Sequence, residues 1–458
     1  MTSKSLVAAK TKWMALAFVA LLSCASAESF AASEDELTQI RSQLLDLIER
    51  VERLEQQNRA LQAENDRLRT DSEYLKEETR GLRKDTALVA GESAKVKGAD
   101  WASRVSIKGD FRYRHEQIGD DALTSAGVSA ADRERDRIRA RVNLQAKATD
   151  AITVGVGIAT TEGGDPRGSN QTLDGTFSRK SFDLDLAYLD WKFSRFGLLT
   201  AGKMKQPFPR PGQSLFWDGD VNPEGLAVSF ERGMWFGGAY NFWVDEVSGP
   251  ETALTADAHL AGAHVGARIP VGDSTLMLGA HYYDLGAGQG RRGLLFNCSA
   301  TSNACANGNT TIGPAGEGVL AHDFEVAEVY AEISLTAGTL PLQVWADLAQ
   351  NQAPVDLDTA WAAGIRLGAA GDYRTWELGA LYQVVEKDAL FAQVIDSDFA
   401  GGVSDSKGWV LRAGYAPVRN WLLNASYYIN EVNVDVANSA GQRNVDYERL
   451  QLDLNVKF

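Results

Sequence analysis

The chain has 458 residues, of which 44% are hydrophobic and 23% are charged, and its formal net charge is -15 at pH 7. This acidic balance excludes a nucleic-acid binder, which needs basic surface to meet phosphates. The mean hydropathy of -0.23 suits both a water-soluble protein and a membrane barrel, because half of each barrel strand faces water. The five histidines lack metal-ligand spacing and no catalytic motif is present, so we predict no catalytic residue, metal or cofactor.

Residues 1–27 are predicted to be an export signal peptide. Three lysines precede an apolar segment at 13–22 that is too short for a transmembrane helix, and an Ala-Ser-Ala cleavage triplet lies at 25–27. Cys24 leaves open a lipoprotein that is acylated at this cysteine. We expect an exported chain whose mature form begins near Glu28.

A heptad pattern over residues 34–85 predicts a coiled coil. One apolar position recurs every seven residues, at Ile40, Leu47, Leu54, Leu61, Leu68, Leu75 and Leu82. The interleaved position becomes polar from Asn58 onward. A lone helix with so narrow an apolar stripe is marginal in water, so the pattern indicates a partner helix. The alternative, which the sequence leaves open, is a solvated charged helix that lies on another surface. Residues 86–102 lose the heptad period, and we predict that they form a linker.

Residues 103–458 contain about sixteen amphipathic runs, which predict an all-β antiparallel transmembrane barrel. The runs lie at 103–116, 133–149, 151–162, 180–193, 197–205, 225–231, 234–246, 256–269, 274–286, 324–336, 340–350, 359–369, 373–386, 407–416, 420–432 and 444–458. Tight turns alternate with long connections, as in bacterial outer-membrane barrels. An even strand count places both ends of the barrel, and the preceding coiled coil, on the periplasmic side. The sequence does not exclude a barrel of fourteen or eighteen strands.

The faces of the strands favour lipid contact over a soluble core. In the last strand, apolar and polar residues alternate; the apolar set is Leu450, Leu452, Leu454, Val456 and Phe458. Four consecutive strands carry aromatic residues at both ends of one face, which is typical of membrane-interface belts. A terminal Phe458 on such a strand is typical of barrels that the outer-membrane assembly machinery recognises. We therefore expect the lipid bilayer and this machinery as partners.

Basic residues of the first two strands share the inward face. They are Lys108, Arg112, Arg114, Arg135, Arg137, Arg139 and Arg141. Sixteen strands enclose an aqueous channel, so these residues are predicted to form a basic wall of the pore. In the alternative, Arg133 and Arg135 lie above the membrane and only make the base of a loop soluble.

The long connection at 202–225 carries four prolines and an aromatic cluster flanked by acids. Its candidate constriction residues are Phe208, Arg210, Phe216, Trp217, Asp218, Asp220 and Glu224. Aromatic loop residues need burial, and the lumen provides it; the alternative is a loop that lies over the mouth of the barrel. Acids opposite a basic wall create a transverse field. Since the basic wall has more members, we expect a weak preference for anions.

Two cysteines remain after signal removal. Cys298 and Cys305 lie in a stretch rich in Gly, Asn, Ser and Thr. An exported protein meets an oxidising compartment, so we predict a disulfide bond between them.

The chain resembles the "Putative porin" family of Gram-negative outer-membrane proteins over nearly its whole length. The resemblance rests on Phe111–Arg114, the arginine-rich stretch 135–144, and the W-D-G-D-V-N-P-E-G sequence at 217–225. It implies an outer-membrane porin, a passive channel for small hydrophilic solutes and ions, with a periplasmic coiled-coil head and a homotrimeric assembly. It assigns no substrate and no site residues.

Two other functions stay open at this point. In the first, the coiled coil grips the peptidoglycan and the barrel is mainly an anchor. In the second, more remote alternative, the barrel is an outer-membrane hydrolase. The sequence by itself leaves dimer and trimer open.

Overall fold

A computed structural model describes residues 42, 45–46, 49–73, 76–77, 100–123, 132–162, 165–250, 256–286, 288–290, 306–313 and 319–458. The predicted signal peptide and the predicted disulfide between Cys298 and Cys305 lie outside the described residues. The chain divides into two compact units, Met1–Ala99 and Asp100–Phe458.

In the first unit, residues 49–73 form a continuous helix. Val51, Leu54, Leu61 and Leu68 lie along it with exposures between 47% and 59%. Ion pairs between residues four apart, such as Arg53 with Glu49 at 3.5 Å, support the polar surface. In the part of the chain that the structure describes, no helix is both long and apolar enough to cross a membrane. The helix therefore presents an exposed apolar stripe.

The described part of the second unit is a closed barrel of sixteen antiparallel strands. They are β1 Val105–Asp120, β2 Arg133–Lys147, β3 Ile152–Thr161, β4 Ser181–Trp191, β5 Gly197–Lys203, β6 Glu224–Arg232, β7 Trp235–Asp245, β8 Ala258–Val271, β9 Ser274–Gly286, β10 Phe324–Ala337, β11 Leu340–Asn351, β12 Thr359–Gly368, β13 Thr375–Val385, β14 Ser406–Val418, β15 Trp421–Val432 and β16 Val445–Lys457. Each strand pairs with the next in sequence, and β16 pairs with β1, which closes the barrel. The predicted fold and the strand count are confirmed.

Long loops lie at one end of the barrel and short turns at the other. The loops are L1 121–132, L2 162–180, L3 204–223, L4 246–257, L5 287–323, L6 352–358, L7 386–405 and L8 433–444. Two-residue turns such as 233–234 and 272–273 reverse the chain at the other end. Gly233 and Gly272 have φ values of 63° and 60°, which a residue without a Cβ adopts at little cost.

A short helix, two 3-10 turns and two short strand pairings accompany the sixteen barrel strands. A four-residue helix, Asp100–Ser103, precedes β1, and 3-10 turns occur at Pro211–Gln213 in L3 and at Phe399–Gly402 in L7. Gln171–Thr172 of L2 pairs with β2, and Thr311–Ile312 of L5 pairs with Val319–Leu320. L2, L3 and L7 are the loops that matter for the site.

The outer face of the barrel is apolar with aromatic ends. At the loop end, the Tyr382 ring contacts the rings of Trp361 and Trp409, with centroid distances of 5.5 and 5.0 Å. Trp376 and Trp421 lie at the turn end with exposures of 39% and 41%. Residues between the belts are aliphatic or small, so the outer face matches a bilayer with two interfaces.

Candidate pore constriction

L3 turns into the barrel interior and packs on the wall. Phe208, Phe216 and Trp217 are each at most 6% exposed. The Trp217 ring lies 5.5 Å from the Tyr283 ring on β9, and the Phe208 ring lies 5.4 Å from the Tyr240 ring on β7. Burying each such side chain contributes about 1.5–3 kcal/mol toward holding the loop against the wall. L3 therefore lies in the lumen.

Polar contacts fix the tip of L3. The Gly212 amide donates to Glu332 Oε2 on β10 at 2.7 Å, and Arg210 Nη1 donates to the Trp217 carbonyl at 2.7 Å. Gly212 has a φ of 53°, and a Cβ at this position would overlap the indole of Trp345 on β11. Only glycine fits here, so the close approach of L3 to β11 depends on it.

The six arginines of the predicted basic wall lie together on β1 and β2, and each of them meets an acid or an amide. In the β1–β2 register, Arg112 lies opposite Arg139 and Arg114 lies opposite Arg137. Like charges opposite each other are destabilising, so carboxylates must lie between them. The shortest ion pairs are Arg114–Asp453 at 2.7 Å, Arg135–Glu116 at 2.6 Å, Arg137–Glu162 at 3.0 Å, Arg139–Asp110 at 2.8 Å and Arg141–Asp110 at 2.8 Å. Lys108 is exposed near the turn end.

The sequence reasoning missed the acids of this wall. Asp110 and Glu116 occupy the same inward-facing positions of β1 as Arg112 and Arg114, so the period of two could have revealed them. Asp453 lies on β16, far from β1 in the sequence, and it meets Arg114 because closure of the barrel pairs β16 with β1. The wall is therefore a network in which four carboxylates offset part of the charge of its seven basic residues.

L3 contacts this wall directly through Asp220. Asp220 Oδ1 accepts a hydrogen bond from Arg141 Nη1 at 3.0 Å, and Oδ2 accepts one from Ser169 of L2 at 2.9 Å. Burial alone would raise the pKa of the Asp220 carboxyl, but the charges of Arg139 and Arg141 outweigh it and lower the pKa to about 2. Asp220 is therefore an anion in contact with the arginines.

The other predicted acids of L3 lie elsewhere. Asp218 faces L7, where the Ser397 amide donates to its Oδ2 at 2.9 Å. Burial, followed by the nearby charges of Asp396 and Asp220, raises the pKa of Asp218 well above its usual range. Glu224 begins β6 and pairs with Lys203 at 2.9 Å, away from the arginines. Of the three acids, only Asp220 meets the basic wall.

L7 also folds into the lumen, which the sequence analysis did not foresee. Leu390, Phe391, Ile395 and Phe399 are each at most 3% exposed. The Asp218 amide donates to the Val394 carbonyl at 2.7 Å, so L3 and L7 are joined by backbone hydrogen bonds. The signal was present in the sequence, because L7, like L3, places apolar residues among acids in a long loop.

Asp398 connects L7 to the basic wall. Its carboxylate accepts hydrogen bonds from Arg114 Nη1 at 3.0 Å and from Arg449 Nη1, on β16, at 2.6 Å. Burial would raise the pKa of Asp398, but the two guanidinium charges lower it below its usual range. L2 joins the same assembly, since Arg167 Nη1 donates to the Ala392 carbonyl of L7 at 3.1 Å. Three loops and the wall thus meet in one place.

Cavities remain beside these loops. One of about 360 Å³ lies between the arginine side chains and the acids of L2, L3 and L7. A second of about 470 Å³ lies among β3–β6, and Asp183, Asp185 and Lys203 line it. The loops therefore narrow the lumen without filling it.

A buried polar cluster lies in the wall beneath L3. Tyr240 Oη lies 2.7 Å from His281 Nε2, and His281 Nδ1 lies 2.8 Å from Glu328 Oε2 on β10. The Phe208 ring stacks on His281 with centroids 4.7 Å apart. These polar groups are at most 6% exposed, so the cluster supports the docked loop and is closed to a solute.

Comparison with known proteins gives a family match. A sequence profile of the family described as "Putative porin" matches residues 121–317 and 295–458. No curated protein matches the chain.

Several solved structures are similar to the chain at low sequence identity. A high-pH structure of Pseudomonas putida OprB is 13% identical over 80% of this chain and 97% of its own, with a TM-score of 0.51. A Rhodopseudomonas blastica porin mutant is 11% identical over 77% and 100%, with a TM-score of 0.43. Vibrio cholerae OmpT, an outer-membrane protein, is 12% identical over 77% and 97%, with a TM-score of 0.44. The similarity to OprB supports the barrel fold alone.

Proposed function

Because the chain belongs to the "Putative porin" family, we propose that it is an outer-membrane channel through which small hydrophilic solutes and ions diffuse passively. The observation that carries the proposal is the position of L3, whose aromatic cluster lies inside a closed sixteen-stranded barrel. A barrel of this size encloses water, and a loop folded into it sets the narrowest width.

The constriction of this channel consists of the basic wall, Asp220 of L3 and Asp398 of L7. Asp220 and Asp398 both form ion pairs with wall arginines, so the charges are interleaved at close range. Such an arrangement orients dipolar solutes and gives little net preference for one sign of ion. The acids therefore remove most of the basis for the anion preference expected from the sequence.

Single-channel recording in planar bilayers tests the proposal. The full-length protein should give stable open-channel current in KCl, with a reversal potential near zero across a salt gradient. Replacing 207–220 by a short Gly-Ser linker should raise the conductance, because the packed part of L3 is then missing. Gly-Ser in place of the exposed Val355 and Asp356 of L6 is the matched control and should leave the conductance unchanged.

Two results would contradict this proposal in different ways. A folded, inserted protein without current would favour the tether, in which the barrel is mainly an anchor. An unchanged conductance in the variant without the packed part of L3 would place the constriction elsewhere. The hydrolase alternative gains no support from the His281–Glu328 pair, because both side chains are at most 6% exposed.

The assembly of the channel is part of the same proposal. The exposed heptad stripe supports a homo-oligomer joined by a periplasmic coiled coil, and we propose the homotrimer that the family resemblance implies. We also keep the outer-membrane assembly machinery as the partner that reads Phe458, and peptidoglycan as a further partner of the coiled coil.

A further inference from the structure

The cavity of about 360 Å³ beside the basic wall is lined by six arginines. They are Arg112, Arg135, Arg137 and Arg139 of β1 and β2, Arg167 of L2, and Arg449 of β16. One water molecule takes up about 30 Å³ of liquid volume, so the cavity has room for a small organic ion together with water.

Acids line the same cavity, but they already accept hydrogen bonds from the protein. The acceptor–donor pairs are Glu162 with Thr172 Oγ1, Asp165 with Arg167, Asp218 with the Ser397 amide, Asp220 with Arg141, Asp396 with the Phe399 amide, and Asp398 with Arg449. Burial and neighbouring acids also raise the pKa of both Asp218 and Asp396, so these two repel an incoming anion less. The acids therefore belong to the internal structure of the loops.

Two of the arginines, in contrast, keep an unused donor. Arg137 Nε and Arg449 Nε are buried and have no hydrogen-bond partner among the described residues. Arg449 Nε lies 3.9 Å from Glu116 Oε1, which is too far for a hydrogen bond. Arg112 donates Nε and Nη2 to the neutral amide oxygen of Asn170, at 3.2 and 2.5 Å. Unused donors on planar guanidinium groups suit a ligand with carboxylate or phosphate oxygens.

Asp398 shows how a carboxylate sits on these arginines. It bridges Arg114 and Arg449, and its side chain is 22% exposed although both partners are at most 7% exposed. It directly precedes the turn Phe399–Gly402, in which Ala400 has a φ of 51°, a left-handed conformation that residues with a Cβ rarely adopt. Arg449 lines the cavity, so a carboxylate from a solute can compete with Asp398 for the Arg449 guanidinium group.

We propose that this cavity is a binding site for a small anion that carries a carboxylate or phosphate group, and that Asp398 occupies part of the site when no solute is bound. The inference rests on the proposed function, because the solute reaches the cavity through the lumen. It adds a substrate class, small organic or inorganic oxyanions, to a channel whose net ion preference is weak.

The test is the block of single-channel KCl current through the full-length protein. Succinate, inorganic phosphate and uncharged glycerol are added at equal concentrations, so the first two separate carboxylate from phosphate. We expect at least one of the two anions to reduce the current saturably and glycerol to have no such effect. Asp398→Asn should make the block several-fold tighter, and Arg449→Gln should weaken it about tenfold, the loss expected for one charged hydrogen bond.

Asp446→Asn is the matched control, because Asp446 is an exposed acid on the same strand as Arg449, and it should leave the block unchanged. If Asp398→Asn does not fold, Arg112→Gln gives a second readout: a weaker block supports the site and an unchanged block contradicts it. Normal KCl current without saturable block by either anion would overturn the site and leave the channel intact. A folded protein without any current would instead contradict the proposed function.

Discussion

Two pairs of acids on L3 and L7 experience opposite electrostatic environments. Asp220 and Asp398 touch arginines, and their pKa values are lowered. Asp218 is buried and Asp396 is half-buried close to it, and desolvation raises both of their pKa values above the ordinary 3.8. The first pair stabilises the constriction as anions, whereas the second pair stabilises it in the neutral form.

This difference predicts how the docking of L3 on L7 depends on pH. A carboxyl with a raised pKa contributes fully below its ordinary value of 3.8, and the contribution is lost as the pH rises toward the raised pKa of the docked state. We therefore expect open-channel current noise to increase from about pH 4 upward and then to level off. Recordings across this range measure the effect.

Asp218→Asn should reduce this pH dependence, and the double variant with Asp396→Asn should remove it. The amide keeps an oxygen for the Ser397 amide that now donates to Asp218. An unchanged pH profile in the double variant would show that these two carboxyls do not control the loop. Asp220 and Asp398 change the stability of the docked loops only at acidic pH, because the stability that comes from a lowered pKa is lost as the pH falls.

At the scale of the strand, the alternation of faces predicts unequal tolerance to charge. Val329 on β10 is 53% exposed on the outer face, and Ser334 on the same strand faces the lumen and is exposed. Val329→Arg should cost about 2–4 kcal/mol near the bilayer midplane, whereas Ser334→Arg should be tolerated. The heat-dependent shift of the folded barrel in gel electrophoresis measures this, and equal folding of both variants would refute the assigned faces.

On β16, the expectation that a lumen-facing position tolerates arginine is wrong for Asp453. The sequence predicts that Leu452→Arg impairs assembly and that Asp453→Arg is tolerated, because Asp453 faces the lumen. The structure places both Asp453 carboxylate oxygens on Arg114, at 2.7 and 2.9 Å. An arginine there would face the buried Arg114 guanidinium, so we expect Asp453→Arg to fail as well. A position that faces the lumen is a suitable control only when it carries no ion pair.

At the scale of the whole molecule, the exposed heptad stripe predicts self-association. Leu54, Leu61 and Leu68 are 58–59% exposed, and a lone helix with such a stripe is marginal in water. Replacing all three by serine should dissociate the full-length oligomer and leave each barrel folded. Analytical ultracentrifugation in detergent measures the mass of the assembly.

A matched variant carries serine at Gln56, Ala63 and Thr70, on the other face of the helix, and should keep the oligomer intact. If the stripe variant retains the mass of the unmodified protein, the barrels associate by another surface. Trimer and dimer differ in mass, so the same measurement decides the number of chains.

The sequence by itself determined the elements of this protein and the faces of its strands. A period of two marks each strand and its outward residues, and turn residues mark the loops, so the sixteen runs match the observed strands closely. Both signals are local, because a strand's pattern depends only on its own residues. The inward position of Arg112, Arg114, Arg137 and Arg139 followed from the same period.

Only the tertiary structure decided which charges meet. Arg114 pairs with Asp453 and Asp398, which lie 339 and 284 positions away in the chain. Such contacts form when the barrel closes and two loops enter one lumen, and no periodicity encodes them. The partial neutralisation of the basic wall, the inward path of L7 and the arginine cavity are therefore properties of the assembled barrel.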